Sequence, residues 1–161
     1  MGKIIDLKQA ISLSKKLKTE HKTLVIAGGC FDLLHVGHIR FFQKAKKQGD
    51  ILCILLEDDE NVKKFKGENR PINFQKDRAE ILSSISFIDY VIPLKNMTTN
   101  KDYDNLLIQL KPNIIATTEN DPQGVHNERQ SKLINAQVKY VIQRVNNKST
   151  SNLAKRIYED F

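Results

Sequence analysis

The run Gly28-Gly29-Cys30-Phe31-Asp32-Leu33-Leu34-His35-Val36-Gly37-His38 holds the chain's densest collection of chemically capable residues. His35 and His38 stand three apart, with Gly37 between them. At the start of a helix, that spacing turns both imidazoles toward one pocket. Helix N-termini attract phosphate through unpaired N–H groups and the helix dipole. An imidazole, neutral or charged, can donate a hydrogen bond to a phosphoryl oxygen. Two glycines just before allow a backbone to approach a ligand closely. The expected chemistry is a phosphate cradle. Zinc is the competing reading, with Cys30, Asp32, His35 and His38 as ligands. A tetrahedral zinc site usually needs a second ligand pair elsewhere, and His21 and His126 are isolated. A magnesium ion carried in by nucleotide phosphates fits better.

These residues need a scaffold, and the chain alternates strand and helix patterns. Residues 6–18 read as a helix capped by Asp6, with Leu7, Ala10, Ile11, Leu13 and Leu17 on one face. Strands are expected at Thr23–Ala27, Ile51–Leu56, Tyr90–Ile92, Asn113–Ala116 and Val138–Ile142. Helices are expected at Gly37–Lys47, around Arg78 to Leu82, around Leu106 to Leu110, at Gln130–Asn135 and at Ser151–Tyr158. Short apolar strands alternating with amphipathic helices predict an α/β fold. Its five-stranded parallel sheet is doubly wound and Rossmann-like, with helices on both faces. Ligands of such sheets sit beyond the carboxyl ends of the strands. The 161 residues suffice for one domain with its own core, so a single domain over 1–161 is expected.

Composition narrows the partners. Lys plus Arg is 26 against 19 Asp plus Glu, a net charge of +7. That charge suits an anionic ligand. The lysines are dispersed without aromatic interleaving, so nucleic acid is not the expected partner. No apolar run reaches the roughly 20 residues of a membrane helix, and the opening residues lack the apolar core of a signal peptide. A cytoplasmic location is expected. Two cysteines, Cys30 and Cys53, make no disulfide framework, and Cys53 sits in an apolar run as a core residue.

The segment from Gly29 to His38 resembles the signature of the cytidylyltransferase-like nucleotidyltransferases. Downstream, Asp59-Glu60-Asn61-Val62-Lys63-Lys64-Phe65-Lys66-Gly67, Arg70-Pro71-Ile72-Asn73 and Asp77-Arg78-Ala79-Glu80 are most similar to one branch, the nucleotidyltransferase domain of the bacterial ADP-heptose synthases of RfaE type. The resemblance covers roughly residues 3–115. It implies transfer of a nucleoside monophosphate from an NTP, ATP favoured, to a phosphorylated sugar such as heptose 1-phosphate, with release of pyrophosphate. Magnesium comes with the nucleotide. Relatives are often dimers, and any kinase supplying the acceptor is expected on a separate chain.

The resemblance also implies roles. Gly29, Cys30, Phe31, Asp32 and Gly37 line the nucleotide pocket. His35 and His38 contact the triphosphate and stabilise the reacting α-phosphate. Lys66, with Lys64, reaches the phosphates from a mobile loop after the second strand. Arg144, Ser149, Thr150 and Ser151 match a terminal motif that holds β- and γ-phosphates. Asp59, Arg78, Thr117 and Glu119 are candidate contacts to the acceptor or base. Blander readings stand beside these: a solvated charge run for Lys63, Lys64 and Lys66, an N-cap for Ser149 or Ser151, and a surface ion pair of Arg78 with Asp77 or Glu80.

The chain departs from its relatives after two strands. The heptose branch has Lys-Gly-Gly-Asp-Tyr after the fourth strand, where this chain has Thr117-Thr118-Glu119-Asn120-Asp121. The usual Asn-Ser-Asp after the second strand is Glu57-Asp58-Asp59, adding negative charge beside the pocket. Two other functions follow from these departures. One is cytidylyl transfer from CTP to glycerol 3-phosphate or a similar alcohol phosphate. The other is a nucleotide-binding module without catalysis.

Overall fold

A computed structural model describes residues 2–121 and 124–143. In chain order its elements are β1 (Lys3–Ile4), α1 (Leu7–Thr19), β2 (Leu24–Gly29), α2 (Val36–Lys46), β3 (Ile51–Leu56), α3 (Asp59–Lys66), α4 (Gln75–Ser83), β4 (Tyr90–Pro93), α5 (Asn100–Leu110), β5 (Ile114–Glu119), α6 (Gly124–Ile134) and β6 (Gln137–Gln143). The strands form one sheet in the order β1-β4-β3-β2-β5-β6, with every pair parallel.

The central strands are apolar because helices cover both of their faces. Val25, Ala27, Leu52, Ile54, Leu56 and Val91 share one core with Phe42 of α2 and Leu82 of α4. Leu24, Ile26, Cys53, Leu55 and Ile92 share the other with Ala10 and Leu17 of α1 and Leu106, Leu107 and Leu110 of α5. Alternate residues of β2 and β3 feed opposite cores, as the pleat requires. Asp6 caps α1 in a reciprocal box with Gln9, at 2.8 and 2.9 Å.

The expected Rossmann-like architecture is present, with three corrections. The sheet has six strands, because Lys3–Ile4 adds to the β4 edge. Both residues are exposed, so no apolar run announces them; Lys3 and Ile5 donate to the Asp89 and Val91 carbonyls at 2.9 and 3.0 Å. The segment bearing Lys64 and Lys66 is a helix, α3, rather than a loop. Asp58 caps it, acids fill its first turn and lysines its last, which suits the helix dipole. Val62 anchors it and is fully buried. The third correction concerns Thr117, Thr118 and Glu119, which continue β5 instead of forming a loop. They pair with Tyr140, Ile142 and Gln143 of β6 across a bulge. Among the described residues, no helix is long and apolar enough to cross a membrane.

The winding reverses at β2. From there the chain builds β3 and β4 on one side and β5 and β6 on the other. In parallel sheets of this kind, the crevice at the reversal is the ligand site. The run from Cys30 to His38 leaves β2 at that point.

Candidate active site

β2 ends on Gly28-Gly29, and the chain then turns sharply. A Cβ at Gly29 would lie 2.9 Å from the Phe31 ring, so that position admits only glycine without displacing the ring. Phe31 itself adopts a left-handed φ of 44°, unusual for a bulky residue. Its ring is buried, edge-on to His38 at 5.6 Å and against Phe42 at 5.2 Å. Phe31 therefore backs His38 with its side chain, whereas the sequence reading placed it on the pocket wall.

The two histidines start α2 in a reciprocal arrangement. His35 Nδ1 accepts the Gly37 N–H at 3.1 Å, and His38 Nδ1 accepts the His35 N–H at 3.3 Å. The rings stack, with centroids 3.9 Å apart and planes 25° from parallel. With both Nδ1 atoms accepting, each neutral ring carries its proton on Nε2. Burial, the neighbouring His35 and Lys66 push the His38 pKa down to about 4. At neutral pH His38 is thus an uncharged N–H donor.

That depressed pKa sets an acid sensitivity. Unfolded His38 binds its proton near pH 6.5 and the folded ring only near 4. Between those values the unfolded state holds more protons, so stability falls as pH drops through this window. A loss of about 3 kcal/mol from this residue is expected by pH 4. His38→Gln should flatten the slope of stability against pH between 6.5 and 4, read by urea denaturation. An unchanged slope would contradict the buried neutral imidazole.

Other expected contacts resolve differently. Asp32 is buried, and its carboxylate is bound by protein groups. It takes Arg70 Nε at 2.6 Å and Nη2 at 2.5 Å, and the N–H groups of Ile72 and Asn73 at 2.8 and 3.0 Å. Asp32 thereby fastens the 70–73 segment beside the histidine turn. Arg78 is closed off from solvent. It is 1% exposed and bonds the carbonyls of Cys30, Glu57 and Asn73 and the carboxylate of Asp59. The expected surface pairing with Asp77 or Glu80 is absent because α4 turns Arg78 under the sheet rim. Asp59 is correspondingly tied to Arg78, at 2.7 Å. Thr117 is buried and donates to Asp121 at 2.6 Å. Glu119 ends β5 on the rim. Lys64 and Lys66 lie in the last turn of α3, and Lys66 is close enough to act electrostatically on both Cys30 and His38. Burial raises the Cys30 thiol to about 11, so it stays protonated and is no nucleophile. Arg144, Ser149, Thr150 and Ser151 lie outside the described residues, as does the expected helix Ser151–Tyr158.

Sequence reasoning gave no role to Arg70, Glu57 or Tyr103. Arg70 stood in the Arg-Pro-Ile-Asn segment, but nothing local pairs it with Asp32, 38 residues earlier. Tyr103 donates to Glu57 at 2.9 and 3.1 Å across 46 residues. Among the described residues, no group of three or more His, Cys, Asp and Glu side chains is placed to hold a metal ion.

The cytidylyltransferase-like family model matches residues 26–156. The bifunctional protein HldE of Campylobacter fetus is 38% identical over 156 residues, covering 93% of this chain and 31% of that protein. HldE of Helicobacter pylori strain P12 is 45% identical over 106 residues, covering 65% of this chain and 22% of that one. The chain therefore spans less than a third of the length of these curated relatives. A crystal structure of a lipopolysaccharide core biosynthesis protein from Thermoplasma volcanium superposes with a TM-score of 0.60 at 26% identity, covering 80% of this chain and 99% of that one. Pantoate-beta-alanine ligase from Francisella tularensis gives 0.66 at 19% identity over 99% of this chain and 78% of that one, a likeness of fold.

Proposed function

The chain belongs to the cytidylyltransferase-like family of nucleotidyltransferases, and on that premise we propose that it moves a nucleoside monophosphate, adenylate first among them, onto a small sugar phosphate of the heptose 1-phosphate kind. The observation that carries this reading is the reciprocally capped pair His35 and His38 at the start of α2. It brings two imidazoles together at the crevice where the sheet reverses, and we assign their Nε2–H groups to the phosphates.

The reaction follows from that geometry. An acceptor phosphate oxygen attacks the α-phosphorus in line. A new P–O bond forms, the bond to the bridging oxygen breaks, and its electron pair leaves with pyrophosphate. The acceptor oxygen is already ionised near neutral pH, so no general base is needed. The protein aligns two anions and offsets their repulsion. His35 and His38 donate to oxygens where charge grows, and they are already oriented when the substrate arrives. Lys66 and Lys64 lower the electrostatic cost of bringing the phosphates together. Magnesium enters as part of the nucleotide substrate, bound to its phosphates. Arg144 and Ser149-Thr150-Ser151 are assigned to the β- and γ-phosphates on the resemblance of their motif, and Glu119 to the base side of the crevice.

The test is nucleotide-dependent melting. ATP with magnesium at 100 times its Kd is expected to stabilise the protein by about 2.7 kcal/mol. At roughly 2–4 °C per kcal/mol that raises Tm visibly. Pyrophosphate release with mannose 1-phosphate or another aldose phosphate should follow. A shift with CTP alone would transfer the assignment to cytidylyl transfer. No shift with any nucleotide would overturn the catalytic reading.

A further inference from the structure

The reading above assigns the nucleotide to the histidine turn after β2 and to Glu119 at the end of β5, which leaves the β3 and β4 side of the same rim for the acceptor. That side is built around Glu57, the residue after β3. Its backbone N–H donates to the Gly29 carbonyl at 3.1 Å, so it sits level with the turn that leads to the histidines. Its carboxylate receives Tyr103 Oη–H at 2.9 and 3.1 Å and Asn61 Nδ2 at 3.2 Å. Tyr103 comes from α5 and Asn61, nearly fully buried, from α3. Three elements thus fix the orientation of one carboxylate.

Hydrogen counting shows that this carboxylate has capacity to spare. An ionised carboxylate offers about four lone-pair sites. Tyr103 supplies a single hydrogen, shared between the two oxygens. Asn61 Nδ2 also lies within reach of the Met97 carbonyl at 3.0 Å and Tyr103 Oη at 3.2 Å. A second acid adjoins it in sequence. Asp58, only 9% exposed, caps α3 through Oδ1, while its buried Oδ2 has no hydrogen-bond partner among the described residues. Cationic groups nearby are already engaged or stand apart. Arg78 is spent on carbonyls and Asp59. Lys66 lies toward His38 and Cys30. The rim thus runs from donors beside the histidines to acceptors around Glu57.

We propose that Glu57, held by Tyr103 and Asn61, is the acceptor-selecting residue, taking a hydrogen bond from a hydroxyl of the phosphorylated acceptor. The inference rests on the nucleotidyltransferase reading and refines it. The acceptor is a polyhydroxylated phosphate that carries no second acid group. An acceptor with a carboxylate at the Glu57 end would face an acid at close range and be rejected.

Calorimetry separates this inference from the reading beneath it. Glycerol 3-phosphate, mannose 1-phosphate, phosphoethanolamine and 3-phosphoglycerate are titrated into the full chain, preloaded with magnesium and a nucleotide whose α,β bond cannot be cleaved. Wild type is expected to bind glycerol 3-phosphate or mannose 1-phosphate and to reject 3-phosphoglycerate, whose carboxylate would meet Glu57. Glu57→Gln should weaken that binding about tenfold, the scale of one hydrogen bond to a charged group, and leave nucleotide affinity unchanged. Tyr103→Phe, which leaves the carboxylate in place but loosens it, should weaken acceptor binding less. This pattern without pyrophosphate release in a parallel assay would sustain the assignment of Glu57 and refute catalysis. The assignment is overturned if Glu57→Gln binds the acceptor as wild type does. It is equally overturned if 3-phosphoglycerate or only phosphoethanolamine binds wild type, or if no probe binds.

Discussion

His38→Ala is expected to lower kcat by about a hundredfold or more, the usual cost of one preorganised donor to a developing oxyanion. The KM for nucleotide should move far less, because the donor matters most when charge has grown on the α-phosphoryl group. His38 suits this role because its pKa, near 4, keeps it a neutral donor with its Nδ1 already occupied by the His35 N–H. Reorientation during the reaction is unnecessary. His35→Ala should be as damaging to turnover but should also cost about 1 kcal/mol of stability, since its Nδ1 caps α2. His35→Asn separates the two effects. Asparagine is a good N-cap and restores the lost stability, yet its short amide does not reproduce the Nε2–H. Steady-state pyrophosphate release with thermal melts measures both quantities. A His38→Ala enzyme within about threefold of wild-type kcat, far from the hundredfold scale of a lost donor, would remove the histidine pair from catalysis.

Much of the scaffold was legible because its central strands are apolar on both faces. Ile51-Leu52-Cys53-Ile54-Leu55-Leu56 can only be a buried strand between helix layers, and that is β3. Lys3–Ile4 was not legible, since a two-residue edge strand is held by backbone bonds and leaves no side-chain pattern. α3 was read as a loop because a single anchor, Val62, hides among charges; the cap and charge gradient that make it a helix were present in Asp58 to Lys66. The histidines were legible as donors from their spacing. Their mutual capping was not, because it depends on ring orientation. Glu57 could be seen as an added charge, but not as a fixed one, since Tyr103 lies 46 residues away. Arg78 misled most. The sequence offers it as a candidate contact to the acceptor or base, or as a surface ion pair with Asp77 or Glu80, although neither acid stands at the three- or four-residue spacing at which helical side chains meet. Only the packing of α4 beneath the rim makes it a buried group.

That burial makes Arg78 the second position of large effect. Its guanidinium donates to the carbonyls of Asn73 and Glu57, both at 2.9 Å, to the Cys30 carbonyl, and to Asp59 at 2.7 Å. Cys30 and Glu57 directly follow β2 and β3, so one side chain joins the two loops that carry the histidine turn and the acidic rim. Arg78→Met fills most of the volume but leaves three carbonyls and a carboxylate short of a donor. Breaking such a network is expected to cost about 3–5 kcal/mol. At roughly 2–4 °C per kcal/mol, Tm should fall by about 10 °C. Arg78→Lys should recover only part of this, since an ammonium lacks the planar fork that reaches several acceptors at once. Turnover measured well below the lowered Tm should also drop, because the Cys30 carbonyl no longer anchors the turn that orients His35 and His38. If Arg78→Met melted within about 2 °C of wild type, under 1 kcal/mol on that scale, the clamp would contribute little to stability. Normal turnover in such a variant would mean that the turn is held by Phe31 packing and by the Asp32–Arg70 pair alone.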